Sequence, residues 1–268
     1  MSLQVSIITV SYNSAETIQE TIESVRGQTY PHIEYIVVDG GSTDGTVDIL
    51  KNDAVIDRWV SESDDGIYDA MNKGIRMSVG EIIGILNSDD WYDPQAVETA
   101  VQVLKEKSEA GLVHGAMNVW TEEGDFDTQY GSKDGLAPNY VSPFNHPTCF
   151  VRRNVYENIG GFALDLPTAA DYDFMIRLLQ SDYEDIYVDE VLTNFRKGGV
   201  TTQYTYALFG EIWKVLRRND RSLLTSITAL FFRGARNGAV WVIKNTPLNR
   251  FKQEIREYLS YHSKSKTR

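Results

Sequence analysis

Residues 82–93 read IIGILNSDDWYD and join an apolar run to an acidic end. An apolar run over 82–86 stops abruptly at the four polar residues of 87–90. A continuous apolar run of this length is typical of a central strand that is buried on both faces of a parallel sheet. The polar residues then follow the carboxyl end of that strand, which is where open α/β sheets bind their ligands.

Two adjacent acids, Asp89 and Asp90, lie at the tip of this predicted strand. Their carboxylates repel each other unless a positive charge lies beside them. A hard divalent cation that also carries phosphate oxygens suits such a pair, which makes it a candidate metal site. The alternative is an ordinary turn before a helix, because Asp93 and Pro94 are typical residues of a helix start. The stretch alone leaves both interpretations open.

The pattern upstream alternates strands with helices. We predict strands over 5–12, 33–38 and 59–61, and helices over 15–28, from 46 and over 67–77. This order predicts a parallel sheet with right-handed crossovers. Three strands end in acids, namely Asp39, the Asp64–Asp65 loop and the Asp89–Asp90 pair. Because parallel strands share one carboxyl edge, the coincidence favours a metal–nucleotide site over a plain turn.

The composition is that of an ordinary globular protein, with 42% hydrophobic and 24% charged residues. The single cysteine, Cys149, excludes an internal disulfide and suits a reducing compartment. The amino terminus has no basic start and enters a strand directly, and no stretch is apolar enough to span a bilayer. These features lead us to expect a cytoplasmic protein.

The net charge of −12 is unevenly distributed. Residues 1–200 hold 13 Lys and Arg against 34 Asp and Glu, a net charge of −21. Residues 201–268 hold 13 Lys and Arg against 4 Asp and Glu, a net charge of +9. This division predicts an acidic body, for which no nucleic-acid partner is expected, and a basic tail that meets an anionic surface.

The tail, 203–268, is predicted to be a basic amphipathic helical extension, with apolar residues at helical spacing from Leu208 to Leu216. Its most apolar stretch, Ser222–Phe232, has 11 residues, which is too short to span a bilayer and suits a membrane interface. This pattern predicts a peripheral protein on the inner face of the cytoplasmic membrane. The alternative is a helical cap that packs on the domain or on the second subunit of a homodimer.

Three motifs follow one another: SIITVSYNSAETIQETIESVRGQTYPHIEYIVVDGGSTDGT, then SESDDGIYDAMNKGI, then ILNSDDWY. Over residues 3–200 the chain resembles the family 2 glycosyltransferases, most of all the small bacterial enzymes that build capsule, exopolysaccharide or O-antigen. The resemblance implies a GT-A-type α/β fold, with a Rossmann-like, mostly parallel central sheet flanked by helices. The glycosyltransferase domain would cover 1–202, with a nucleotide-sugar-binding half over 1–110 and an acceptor-binding half over 111–202.

The resemblance also implies an activity. Members move a sugar from a nucleotide-diphosphate sugar to an acceptor with inversion at the anomeric carbon, usually with Mn²⁺ or Mg²⁺. For this chain it implies a UDP-sugar donor and a saccharide or lipid-linked saccharide acceptor in the synthesis of cell-surface polysaccharide. The Q-x-x-R-W motif of processive synthases is absent from the sequence.

Position by position, the resemblance implies two sets of binding residues. Contacts to the nucleotide sugar are expected from Thr9, Ser11, Tyr12, Asp39, Asp64, Asn72, Lys73, Ser88 and Asp89. Asp89 and Asp90 are the implied metal ligands. Asn87 stands where the family has the first acid of its D-x-D motif, so Asp89 is expected to be the main ligand.

Inverting transfer needs a base that takes the proton from the acceptor hydroxyl. Asp171, near the start of a helix predicted from residue 169, matches the family's base; Ala170 stands where the family has a second acid. The alternative role for Asp171 is helix capping. Asp173 is the second candidate. We expect substrate contacts from Asp173, His146 and Arg196. The alternative for His146 is a hydrogen bond within its loop. Arg196 is predicted to lie in a Gly-rich loop that closes over the diphosphate, and its alternative is a solvated surface position.

Two other functional classes fit part of the pattern. A nucleotidyltransferase that makes the activated sugar would also use an α/β sheet with acids on a metal. It normally has a Gly-rich, basic phosphate loop near the amino terminus, and SYNSAET over 11–17 lacks that character. The third class is a non-catalytic module that binds a sugar nucleotide or a protein partner.

Overall fold

The computed structural model describes residues 2–131, 142–198 and 206–244, with the side chains of the last segment over 207–235. The strands in this part of the chain are β1 (Val5–Ser11), β2 (Ile33–Asp39), β3 (Arg58–Ser61), β4 (Ile82–Asn87), β5 (Trp91–Tyr92), β6 (Ala110–Trp120), β7 (Phe126–Tyr130), β8 (Phe150–Arg152) and β9 (Glu184–Arg196). The helices are α1 (Ile18–Arg26), α2 (Thr46–Asn52), α3 (Ile67–Met77), α4 (Ala96–Glu106), α5 (Arg153–Ile159), α6 (Ala170–Leu179), α7 (Tyr206–Arg218) and α8 (Leu223–Lys244).

One continuous sheet connects the two halves of the chain, in the order β3-β2-β1-β4-β8-β6-β9-β5, with β7 beside β6. The first four strands are parallel, and β6 and β9 are parallel to each other. Strand β8 runs antiparallel to both β4 and β6 and links the two parallel groups. The α/β fold with a parallel, Rossmann-like first half is confirmed.

The register of the first half explains why its strand ends meet. Ser11 pairs with Asp39, Asp39 pairs with Ser61, and Asn87 pairs with Val10. The carboxyl ends of β1, β2, β3 and β4 are therefore level with one another. The loops that follow them form a single edge, which is the edge that we expected to bind a ligand.

The sheet is covered by hydrophobic clusters on both faces. On one face α3 presses so closely on β1 that a Cβ on Gly74 would lie 2.3 Å from Cγ2 of Ile8. In β4 a Cβ on Gly84 would lie 2.9 Å from Cε1 of Phe150 and 2.9 Å from the hydroxyl oxygen of Tyr92, so that only glycine fits there. The apolar run over 82–86 is fully buried, as a central strand requires.

Three details of the sequence-based prediction were wrong. The first helix begins at Ile18, three residues later than predicted. The spacing of Ile67, Met71 and Ile75 in the sequence predicts one buried stripe on α3, but Ile67 is 44% exposed because it lies in the first turn. The long strand β9 was missed, and Arg196 is its last residue rather than part of a loop. Acidic residues such as Asp185 and Glu190 hide the apolar alternation of β9.

The tail divides into a docked helix and a partly exposed helix. The apolar stripe of α7, with Ile212, Val215 and Leu216, is buried against the body. This part of the tail is therefore a cap on the domain. Within the described residues, no helix has the length and apolarity to cross a membrane. The expected boundary at 202/203 and residues 245–268 lie outside the described part of the chain.

Candidate active site

The carboxylate of Asp39 organises the carboxyl edge of the sheet. It is fully buried and accepts five hydrogen bonds, from Oγ of Ser11 (3.0 Å) and Ser61 (2.6 Å), from N of Gly41 (3.1 Å), and from N (2.8 Å) and Oγ (2.5 Å) of Ser42. Burial alone would raise the pKa of Asp39, but these hydrogen bonds lower it, so the group is ionised. Its negative charge thus holds the 40–42 loop in place.

The end of β1 joins the other strand ends. The hydroxyls of Ser14 and Ser88 lie 2.7 Å apart, which ties the loop after β1 to the loop after β4. Tyr12 is 66% exposed at this edge, where its ring is free to meet a ligand. Thr9 instead lies inside the sheet, where its Oγ1 accepts a hydrogen bond of 3.0 Å from Tyr35, so the structure does not bring Thr9 to the surface of the edge.

The loop after β3 brings Asp64 to the same edge. A Cβ on Gly40 would lie 2.8 Å from Oδ2 of Asp64, so the carboxylate rests directly on the backbone beside Asp39. Lys73 is held on the α3 side of this loop by Glu62 (3.1 Å) and Asp69 (3.2 Å). Its charge is therefore already balanced by two carboxylates.

Asn72 makes a contact that the sequence did not predict. Its Nδ2 donates to O of Phe162 (2.8 Å), and its Oδ1 accepts from N of Phe162 (2.9 Å). A Cβ on Gly161 would lie 2.3 Å from that same oxygen. Asn72 therefore joins α3 to the second half of the chain, and both ends of its amide are occupied.

The acid pair lies beyond β4 in two different environments. Asp90 is fully buried, and its carboxylate accepts from N of Arg196 (3.0 Å) and from Nδ2 of Asn87 (3.3 Å). Asp89 is partly exposed and lies in the turn that follows β4. Burial raises the pKa of both groups, and the charge of Asp89 raises that of Asp90 further. Negative charge on this pair is thus unfavourable until a cation approaches.

Asn87 supplies an unused oxygen beside this pair. Its Oδ1 is buried and has no hydrogen-bond partner among the described residues, whereas its Nδ2 is fixed on Asp90. A buried acceptor without a donor is costly, so the site fits a ligand that supplies positive charge or a donor. The described residues contain no group of three His, Cys, Asp or Glu that could hold a metal ion by itself. Mg²⁺-like ions are commonly held by one or two carboxylates plus substrate phosphates, and Asp89 with Asn87 fits that pattern.

Arg196 lies next to the acid pair. Its backbone N–H binds Asp90, its guanidinium pairs with Glu20 of α1, and its Cζ lies 5.2 Å from the ring centroid of Trp91. The expected loop over the diphosphate is thus replaced by an anchored strand end. Burial raises the pKa of Asp89, and the positive charge of Arg196 opposes this increase. The charge of Arg196 therefore stabilises the ionised form of Asp89.

The second half contributes a cluster around Asp171, at the start of α6. Oδ1 of Asp171 accepts from the hydroxyl of Tyr68 (3.0 Å) and from N of Tyr172 (2.7 Å). Burial lowers the pKa of His146, and the charge of Asp171 opposes this effect. The ring centroid of Phe162 lies 5.5 Å from that of His146 and 5.5 Å from that of Tyr68, so these aromatic contacts connect His146 to the Tyr68–Asp171 pair.

Asp173 faces in another direction. It is 1% exposed, and its carboxylate accepts from Nε of Arg177 (2.9 Å) and from Nδ2 of Asn219 (3.0 Å). The structure therefore buries the second candidate base against α7, away from Asp171. Its role in these contacts is to hold α6 against the helices around it.

Two residues of the site were missed from the sequence. Tyr68 was hidden because its helical position is one of several apolar positions in α3. Glu211 binds the segment before α6, although it lies some 40 residues from that segment in sequence. Only the three-dimensional packing reveals both contacts, because the SESDDGIYDAMNKGI stretch contains Tyr68 without indicating the partner of its hydroxyl, and Glu211 lies outside the three motifs.

Comparison with known proteins agrees with this geometry. The sequence profile of "Glycosyl transferase family 2" matches residues 6–160. A putative teichuronic acid biosynthesis glycosyltransferase of Bacillus subtilis, TuaG, is 38% identical over 239 residues, covering 87% of this chain and 95% of the relative. An uncharacterised glycosyltransferase of Mycobacterium tuberculosis is 34% identical over 215 residues, covering 78% of this chain and 81% of the relative.

Solved structures share the fold at low sequence identity. Staphylococcus aureus TarS 1–349 in complex with UDP-GlcNAc has a TM-score of 0.65 at 19% identity, covering 94% of this chain and 76% of that chain. The mannosyltransferase PcManGT of Pyrobaculum calidifontis, in complex with GDP-Man and Mn²⁺, has a TM-score of 0.62 at 19% identity, covering 98% and 83%. These likenesses identify the fold as GT-A. With the profile match over more than half of its length and relatives above 30% identity, this chain belongs to glycosyl transferase family 2.

Proposed function

We propose that this glycosyltransferase moves a sugar from a UDP-sugar to a saccharide or lipid-linked saccharide acceptor, with inversion at the anomeric carbon. The observation that carries this proposal is Oδ1 of Asn87, which has no hydrogen-bond partner within 2–131, 142–198 and 206–244, beside the partly exposed Asp89 at the carboxyl edge of a parallel sheet. Family membership disfavours the nucleotidyltransferase class. The bound UDP-GlcNAc of TarS and the bound GDP-Man of PcManGT support a nucleoside diphosphate sugar as the donor class.

Asp89 and Asn87 would hold a divalent cation, Mn²⁺ or Mg²⁺, together with the diphosphate of the donor. Such a cation, when bound, neutralises the negative charge that develops on the diphosphate leaving group. Asp90 has a different task, because its carboxylate is buried on N of Arg196 and keeps the β4 and β9 ends together. The guanidinium of Arg196 adds positive charge beside Asp89. The complex of PcManGT with Mn²⁺ supports this assignment.

Asp171 acts as the base in this proposal. Both hydrogen bonds that the described residues give its carboxylate end on Oδ1, which leaves Oδ2 for the acceptor. Oδ2 takes the proton as the acceptor oxygen bonds to the anomeric carbon, and the bond from that carbon to the diphosphate oxygen breaks. Attack from the face opposite the leaving group inverts the configuration. His146, held neutral by its lowered pKa, lines this acceptor side.

The acceptor class rests on the relatives. TuaG is a putative teichuronic acid biosynthesis glycosyltransferase, and a further relative, 31% identical, is a PGL/p-HBAD biosynthesis glycosyltransferase of Mycobacterium bovis. These names support an acceptor that belongs to the cell surface. We therefore propose a role in the synthesis of cell-surface polysaccharide, at the cytoplasmic side of the membrane.

An apolar stripe on α8 supports contact with a membrane surface. Leu223, Ile227 and Phe231 follow one another at intervals of four residues, and with Leu224 they are exposed; Leu224 is 72% and Phe231 79% exposed. Arg217 and Arg221 adjoin the start of the stripe. An apolar face beside arginines is complementary to an anionic bilayer interface. An anionic surface would repel the acidic body, so the protein would be oriented with α8 towards that surface.

A thermal-shift screen tests the donor and cation assignments. Purified protein is melted with UDP- and GDP-sugars, with and without Mn²⁺, and sugar nucleotides that shift Tm are then tested for turnover. We expect a Tm rise that needs both nucleotide and cation, followed by slow release of UDP. Formation of UTP and a sugar 1-phosphate when pyrophosphate is added to the UDP-sugar would instead indicate a nucleotidyltransferase. Unchanged melting with every nucleotide and metal would indicate a module that does not use them.

A further inference from the structure

The segment that precedes Asp171 is held by a side chain of the tail. Oε2 of Glu211, in α7, accepts hydrogen bonds from N of Thr168 (2.8 Å) and from N of Ala169 (2.9 Å). Ala169 is the residue before α6, and backbone N–H groups at a helix start lack partners within the helix. Glu211 supplies that partner in trans, with a negative charge at the positive end of the helix dipole.

The same segment is fixed from the opposite side. The hydroxyl of Tyr68 donates to O of Thr168 (3.1 Å) as well as to Oδ1 of Asp171. The amide of Thr168 therefore meets Glu211, and its carbonyl meets Tyr68. Helices α3 and α7 thus bind the backbone carbonyl and the backbone N–H of Thr168, which lies three positions before the proposed base.

Helix α7 is well placed to carry this contact. Its residues Ile212, Val215 and Leu216 are buried in the cluster that also contains Phe174 of α6. At the end of α7, Asn219 donates to Oδ1 of Asp173 (3.0 Å). Helix α6 and the segment before it are thus attached to the middle of α7 through Glu211 and to its carboxyl end through Asn219. No side-chain hydrogen bond from its own N-cap residue holds the start of α6, which leaves Glu211 as its cap.

We propose that Glu211 is a positioning residue, which orients the 168–171 segment so that Asp171 points at the acceptor hydroxyl. This inference rests on the proposed role of Asp171 as base. It means that the tail is needed for the chemical step and not only for contact with a surface. A displacement of about 1 Å at a catalytic group is enough to lower the rate by roughly a hundredfold, so loss of this cap has a large effect on turnover.

The test compares three variants in the full chain. Glu211→Ala removes both hydrogen bonds, Glu211→Gln keeps an oxygen that can accept them, and Arg218→Ala removes a different contact of α7, the ion pair with Asp165. Each is assayed for hydrolysis of the sugar nucleotide that the wild-type protein consumes fastest from a panel of UDP- and GDP-sugars with Mn²⁺. The readouts are kcat, the KM for the donor, and Tm.

We expect Glu211→Ala to lower kcat by about 30-fold with an unchanged donor KM, given the sensitivity of turnover to small displacements. Glu211→Gln should remain within about threefold of wild type, because the hydrogen-bond geometry is preserved. Arg218→Ala should lower Tm and leave kcat near the wild-type value. If Glu211→Ala and Arg218→Ala change kcat equally, or if Glu211→Ala leaves kcat intact, the inference is wrong.

Asp171→Asn separates this inference from the function on which it rests. If Asp171→Asn abolishes turnover while Glu211→Ala does not, the positioning role alone fails. If Asp171→Asn turns over like wild type, the proposed base is wrong and the role of Glu211 falls with it. Loss of turnover in Asp171→Asn and in Glu211→Ala, with recovery in Glu211→Gln, supports both.

Discussion

The hydroxyl of Tyr68 lies 3.0 Å from Oδ1 of Asp171 and donates a hydrogen bond to it, across 103 residues of sequence. Tyr68 belongs to α3, in the half that we assign to the nucleotide sugar, and Asp171 is the second residue of α6 in the other half. Burial and the charge of Asp171 raise the pKa of Tyr68, so the hydroxyl stays protonated and remains a donor. One half of the chain thus orients the proposed base of the other.

Replacing Tyr68 tests this orientation. Tyr68→Phe keeps the ring packed on Phe162 and removes the hydroxyl. We expect kcat to fall about tenfold, which corresponds to about 1.4 kcal/mol in the barrier, while the donor KM stays unchanged. Tyr156→Phe, at another buried tyrosine, is the matched control and should leave kcat unchanged. Equal kcat in Tyr68→Phe and wild type would show that the hydrogen bond has no part in turnover.

Asn87 offers a test of the cation site. Asn87→Asp adds a carboxylate to the end of β4, so we expect the apparent Kd for Mn²⁺ to fall about tenfold, by about 1.4 kcal/mol. Asn87→Leu keeps a similar volume and removes the unpartnered oxygen, so Mn²⁺ should bind more weakly. Both are measured by titrating Mn²⁺ into the donor-hydrolysis assay. Identical Mn²⁺ titrations for the two variants would exclude Asn87 from the cation site.

The acid pair predicts an unusual gain of stability on mutation. The folded-state pKa values of Asp89 and Asp90 are raised, so their contribution to stability is present below the unfolded pKa and is lost as pH rises through the folded values. Without a cation, Asp89→Asn should therefore raise Tm at pH 7.5, by about 2–4 °C per kcal/mol. The difference should shrink as pH falls towards 5.

The control for this gain is Asp182→Asn, which replaces an exposed acid elsewhere. Its Tm should match that of wild type at both pH values. Addition of Mn²⁺ with a donor should stabilise wild type and leave Asp89→Asn unchanged, because the variant lacks the ligand. A lower Tm for Asp89→Asn at pH 7.5 would contradict the account of this pair.

Replacement of Asp39, unlike replacement of Asp89, is expected to lower the stability of the fold. Its carboxylate accepts five hydrogen bonds, so Asp39→Ala leaves buried donors without partners and should destabilise the fold by roughly 2–3 kcal/mol. The donor KM should rise too, because the 40–42 loop loses its anchor. Ser61→Ala removes one of the five donors and should have a much smaller effect in urea unfolding. Similar losses in both variants would mean that Asp39 is not the centre of this network.

The apolar stripe of α8 can be tested by vesicle flotation. The full chain should float at low salt with vesicles of phosphatidylcholine and phosphatidylglycerol, and not with phosphatidylcholine alone. The double variant Leu224→Glu with Phe231→Glu should not float, because both positions are highly exposed and can be changed without affecting the core. Val79→Glu changes an exposed apolar residue elsewhere and should float like wild type. A protein that dimerises through α8 instead, and loses the dimer in the double variant, would refute membrane contact.

The sequence was most informative about the first half. Alternating strands and helices predicted that Asp39, Asp64 and Asp89 follow neighbouring strands, and the register of Ser11, Asp39 and Ser61 places these strand ends side by side. Parallel topology turns a local pattern into a spatial relationship, because each strand end points to the same edge. This is why the acidic edge could be predicted without any knowledge of packing.

The second half resisted prediction for a physical reason. Asp171 and Asp173 lie in the same helical turn and carry the same group, and only contact with Asn219 and Arg177 buries one of them. Strand β9 carries acidic residues along its exposed part, and these mask the alternation of apolar and polar residues that would identify a strand. The orientation of the Asn87 amide likewise depends on Asp90, so a residue that looked like a missing acid is an unpartnered acceptor.

The most direct test of the central claim separates donor binding from turnover in Asp171→Asn. Calorimetric titration gives the Kd for the sugar nucleotide with Mn²⁺, and release of UDP gives kcat on the same sample. We predict that Asp171→Asn binds the donor like wild type and loses turnover by at least about a hundredfold, as removal of a general base does. Asp89→Asn should lose donor binding itself. Wild-type turnover in Asp171→Asn, or equal loss of donor binding in both variants, would contradict the division between a donor site at β4 and a base on α6.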